Sequence, residues 1–139
     1  MIRILFYLFT AVAIQVPCHA EVTKLSAENR NVLQNPSGFH EIHATTNLPP
    51  SIIALCADES GKIAEPIQKW QGTDLITDSK LPSKRLIWAA NGGAYYIVHY
   101  ERGGRGHSFH VLVATLRQDD PKPTAVWRGG ADDRLDYAH

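Results

Sequence analysis

The stretch "HYERGGRGHSFH", residues 99–110, gathers His99, Glu101, Arg102, Arg105, His107, Ser108 and His110. These side chains allow three kinds of chemistry. The first is metal binding, which for zinc needs three or four ligands. His99, His107 and His110 are the candidate trio, with Glu101 as a possible substitute. The second is nucleophilic catalysis by Ser108, which requires a histidine base oriented by a third group. No G-x-S-x-G elbow and no H-E-x-x-H pair accompanies it. The third is recognition of another protein. Arg102 and Arg105 offer planar donor forks, and His107 and Ser108 offer compact polar contacts. Glu101, Arg102, Arg105, His107 and Ser108 are the candidate partner-binding residues. The leading expectation is a non-catalytic binding tip with no metal and no cofactor. The alternative is a metal- or small-ligand-binding domain built on His99, His107 and His110.

Such a tip needs stiff strands behind it. "AYYIVHY" and "SFHVLVATL" are rich in β-branched and aromatic residues and read as the two arms of a hairpin. Centred on Gly104 and Arg105, that hairpin sets Val98 against Val111, Tyr96 against Val113 and Tyr100 against Phe109. This face is assigned to the core. On the outer face, Ile97 meets Leu112 and His99 meets His110. "RLIWAA" followed by "NGG" reads as a strand and tight turn, and "AVWRG" as a further strand. Upstream, "FHEIHATT" alternates, with Phe39, Glu41, His43 and Thr45 on one side and His40 on the other. "SIIALCA" reads as a strand, "KIAEPIQKW" as its return and "TDLITD" as a short strand. The one helix expected spans Ser26 to Leu33, with Ser26 as its N-cap. Together these predict an all-β domain, mainly an antiparallel meander, of sandwich, barrel or propeller-like form. "KWQGTDLI" and "VWRGGADDRL" share a W-x-G spacing of the kind seen in propeller repeats.

Residues 1–20 read as an export signal. "MIR" is the basic start, "ILFYLFTAVAIQV" the apolar segment and "CHA" the cleavage site before Glu21. At about 13 residues the apolar segment is shorter than the roughly 20 that span a bilayer. The expectation is therefore a periplasmic or secreted single domain, residues 21–139, with no stable membrane span after cleavage. Cys56 is then the only cysteine left, so the domain relies on its own core. Its place in an apolar run suggests a buried thiol. Lysines and arginines number 14 and acids 14, so no basic excess points to nucleic acid.

The segment "VHYERGGRGHSFHVLVATL", on an exported β-rich chain, resembles periplasmic immunity proteins of type VI secretion amidase effectors. Ser108, after "RGGRGH", matches the serine that such proteins present to the effector's cleft. "ALCADESG" resembles their acidic turn, and the likeness covers residues 53–116. Two features depart from it: one mature cysteine instead of several, and a longer, more basic loop. "NGGAYY" also resembles the serine-glycine-x-x-tyrosine loop of periplasmic lysozyme inhibitors, with Asn91 in the serine's place. Both likenesses imply a stiff domain that blocks a cell-wall hydrolase, such as a peptidoglycan amidase, by filling its cleft.

Overall fold

The computed structural model describes residues 24–76 and 78–131. The export signal read at residues 1–20 lies outside them, as does the tail beyond Ala131. Ser26 caps a short helix, α1 (Ala27–Leu33), by accepting a hydrogen bond from the Asn29 amide at 3.1 Å. β1 (His40–Ile42) follows, then α2 (Pro50–Cys56) and four longer strands. These are β2 (Lys84–Gly92), β3 (Tyr95–Arg102), β4 (Ser108–Thr115) and β5 (Thr124–Ala131). They form one all-antiparallel sheet in the order β1-β2-β3-β4-β5. The fold is thus all-β, a meander in a single sheet; among the described residues no second sheet closes it into a sandwich or barrel.

The "NGG" turn forms as its residues require. Gly92 pairs with Tyr95, and Gly93 takes φ +59° in the two-residue connection. The strand expected at "SIIALCA" is instead α2. Pro50 occupies the first helical turn, where its missing N–H costs nothing. Ile52 and Cys56, four residues apart, are fully buried on one helical face. A seven-residue apolar run carries no period long enough to separate helix from strand. Here α2 supplies what a single sheet lacks, an apolar cover for one side. Leu48, Ile52 and Cys56 pack on Leu86, Ala89, Val98, Leu112 and Ala114. Burial pushes the Cys56 thiol up to about 11, partly offset by Lys84 and Arg128. A buried, protonated thiol of this kind is a packing group and no nucleophile.

The strands expected at "KIAEPIQKW" and "TDLITD" do not form either. Residues 57–76 and 78–83 are an irregular connector. Among the described residues its one β-bridge to the sheet is parallel, Ala64 to Arg85. Glu65, beside Pro66, turns away to accept hydrogen bonds from the Thr45 amide and hydroxyl. The W-x-G spacing does not mark a repeat, since Trp70 lies in this connector and Trp127 on β5. It does mark a shared local device. A side-chain carbon at Gly72 would lie 3.3 Å from the Trp70 indole, and one at Gly129 only 2.2 Å from that of Trp127. In both places the glycine is where the ring folds back.

Candidate functional site

The register of the β3–β4 hairpin decides which face each chemical group occupies. The observed pairs are Arg102 with Ser108, Glu101 with Phe109, Tyr100 with His110 and His99 with Val111. The expected pairs, Tyr100 with Phe109 and His99 with His110, are therefore displaced by one residue. The cause is the loop, which spans five residues, 103–107. Gly104 and Gly106 adopt φ +118° and +90°, conformations open to glycine. The loop is also held from outside the hairpin. The Gly103 amide donates to the Ser83 carbonyl at 2.9 Å. A side-chain carbon on Gly103 would sit 1.9 Å from the Gln71 carbonyl oxygen, so the backbones meet directly. A slip of one residue exchanges the partners across a pair of strands, and the candidate groups divide accordingly.

On the side facing α2 lie Lys84, Tyr100, Arg102, Ser108 and His110. The His110 ring stacks on Tyr100, with centroids 5.3 Å apart and an interplanar angle of 18°. Burial, then the charges of Lys84 and Arg102, hold His110 below its ordinary value of 6.5. The Ser108 hydroxyl and His110 Nε2 share a hydrogen bond of 2.8 Å. Lys84 donates to the Ala57 carbonyl at 2.7 Å, closing the C-terminal turn of α2, and its ammonium sits 5.4 Å from the Tyr100 ring centroid.

On the opposite side, Glu101 is 1% exposed and binds two partners. Arg85 Nε donates to Oε1 at 2.5 Å, and His107 Nε2 donates to Oε2 at 2.6 Å. The pair is enclosed by rings. Trp70 stands 4.9 Å from the Arg85 guanidinium and 5.4 Å from the His107 ring, and Phe109 lies 4.8 Å from His107. Deeper in the same face, His99 is fully buried with Trp88 at 5.6 Å and Phe109 at 6.3 Å. His107 itself keeps 45% of its side chain in solvent. It is an exposed imidazole whose angle is fixed by a carboxylate beneath it.

Each candidate residue can now be placed. Arg102, Arg105 and His107 are exposed, and Ser108 is half-buried. Glu101 is not at the surface; it positions His107. The sheet does not bring His99, His107 and His110 around one point, because His99 is on one face and His110 on the other. Among the described residues no three His, Cys, Asp or Glu side chains converge as a metal site would require. Nor does a Ser–His–Glu relay assemble. Ser108 bonds His110, while Glu101 bonds His107 across the sheet. Sequence reasoning missed Arg85 and Trp70. The register set by the Gly92–Tyr95 turn alone would put Arg85 opposite Arg102. A bulge between Leu86 and Trp88 moves it opposite Glu101, and nothing in "RLIWAA" announces that bulge.

No family model, curated protein or solved structure matches the chain. No helix among the described residues is long and apolar enough to cross a membrane.

Proposed function

We propose that this is an exported binding protein that inhibits a cell-wall hydrolase, a peptidoglycan amidase in the first instance, by inserting the β3–β4 tip into its cleft. The observation that supports this most is the pairing of an exposed tip with a buried anchor. Arg105 and His107 project, while Glu101, Arg85 and the Gly103 backbone fix the base from which they project. A tip already held in one shape loses less side-chain and loop freedom on binding, so more of its contact energy appears as affinity. Ser108 and Arg102 flank it, and inhibition needs only occlusion and a few hydrogen bonds. Glu101 acts from below by orienting His107 and makes no contact with the partner.

The experiment is inhibition of purified peptidoglycan amidases, read as solubilisation of isolated sacculi. The wild-type protein is expected to suppress it stoichiometrically. The combined Arg105→Ala, His107→Ala, Ser108→Ala variant is expected to lose at least about 2 kcal/mol of binding, roughly thirtyfold in Kd. Undiminished inhibition by that variant removes the tip from the mechanism.

A further inference from the structure

The outer edge of β2 is flanked by two segments that part company. β1 pairs with it only from Asn91 to Ala89. The connector meets it at Arg85, through the Ala64 bridge. Ile87 lies between these two points. It is the extra residue of the β2 bulge, since Leu86 faces Tyr100 and Trp88 faces His99. Among the described residues it has no pairing partner on either side. A bulge re-aims the side chain of its extra residue, and here Ile87 helps to line a hole of about 440 Å³. Ala44, Pro66 and Ile67 complete its apolar lining.

The wall of this hole carries its own knob. Ile67 is 97% exposed, more than any other large apolar side chain among the described residues. It stands on a tight turn in which the Gln68 amide donates to the Glu65 carbonyl at 3.0 Å. Pro66 holds the second position of that turn, where its fixed φ suits the bend. Two braces keep the turn in place. The Glu65 amide donates to Gln68 Oε1 at 3.2 Å. The Glu65 carboxylate accepts from the Thr45 amide at 2.9 Å and from the Thr45 hydroxyl. The third polar side chain of the lining, His43, meets the Glu41 carboxylate at 2.9 Å. Glu65, Gln68 and His43 are thus each engaged within the chain. The surface that remains for a guest is aliphatic, and so is the knob beside it.

We infer that two copies of this chain associate about a two-fold axis, the Ile67 side chain of each entering the hole of the other. A symmetric contact needs one patch that is its own complement. Knob and hole meet that condition because they share Pro66 and Ile67. An axis through the turn sets each Ile67 before the hole of the other copy. An unrelated partner would have to bring both a knob and a hollow of its own, whereas a second copy brings both by necessity. Apolar surface leaving water drives the contact, and the braced turn has little freedom left to lose. The association is nonetheless weak. Seven residues line the hole, against the roughly 20–30 a side of a standard interface.

The test is sedimentation equilibrium of the full chain from about 10 μM to about 1 mM, with backbone amide shifts followed over the same range. A monomer–dimer equilibrium with a Kd of about 0.1–1 mM is expected, with concentration-dependent shifts at Ala44, Ile67 and Ile87. Ile67→Asp, an exposed change, should weaken it at least about tenfold and leave Tm unaltered. Ala44→Leu fills the hole while keeping the knob and should weaken it by a similar factor. A mixture of the two variants retains one intact knob-and-hole contact and should associate more strongly than either alone. A chain that stays monomeric, an Ile67→Asp variant that dimerises like the wild type, or indifference to Ala44→Leu overturns the inference. The assay contains no hydrolase and alters no tip residue, so its outcome is separate from that of the tip.

Discussion

The two faces of the same sheet are built on different principles. Under α2, Ile52, Leu86, Val98 and Leu112 are fully buried and carry nothing polar in their side chains. On the far face, at the hairpin end, the buried groups are an imidazole and a carboxylate, with an arginine and aromatic rings around them. The apolar face tolerates imprecision, because any well-shaped side chain gains by leaving water. The other face does not, because a buried carboxylate is stable only with its partners in place. The difference separates two tasks: the apolar patch under α2 holds the sheet together, and the Glu101 cluster opposite sets the angle of one exposed ring.

The sharpest way to break this contrast is Glu101→Ala. It strands the Arg85 guanidinium, which is 21% exposed, and releases His107. A loss of about 3 kcal/mol is expected in urea unfolding, the low end for a broken buried pair because Arg85 retains some solvent. Replacing Glu101 with Leu and Arg85 with Met together should restore most of it, yet leave the tip unanchored. If the double variant is no more stable than the single one, charge is not what distinguishes the two faces. Leu112→Ala, on the apolar side, should cost about 2–3 kcal/mol by lost burial and cavity formation. No second substitution around Glu101 should rescue it, since Leu112 packs in the α2 cluster on the other side of the sheet.

The smallest effect is a pH slope. His110 titrates below its ordinary 6.5 in the folded chain, because burial and then Lys84 and Arg102 disfavour its charged form. The unfolded chain therefore binds the proton first. The stability contributed by the neutral ring is complete above about pH 6.5 and is lost as pH falls from there toward the folded value. Asp58 does not obscure this window. Partial burial would raise it, but hydrogen bonds from Ser60, Ser83 and Lys62 prevail and keep it below 3.8, so its contribution fades only in stronger acid. Unfolding free energy measured from pH 7.5 to 5 should fall for the wild type and stay flatter for His110→Gln. Parallel slopes would place the titration elsewhere.

Much of the sheet was readable in the chain. "RLIWAANGG", "AYYIVHY" and "SFHVLVATL" announce strands and a tight turn through side-chain shape and left-handed φ, both local properties. Ser26 announced α1 in the same way. What was not readable depends on distant partners. α2 is helical because an exposed sheet face needs cover, which no window of seven residues contains. The hairpin's parity depends on a five-residue loop tied to Ser83 and Gln71. Arg85 reaches Glu101 only through a bulge. The β3–β4 turn lies where the sequence put it, but the division of its flanking residues between faces hung on those last two features.

Gly103 touches the connector with bare backbone, and that contact has an evolutionary consequence. The base of the tip rests on Gln71, Gly72 and Ser83, which lie outside the hairpin. Substitutions or length changes there can re-aim Arg105 and His107 while every tip residue stays the same. Under the proposed function, affinity for a drifting target would then be retuned from a distance, leaving the sheet and its core untouched.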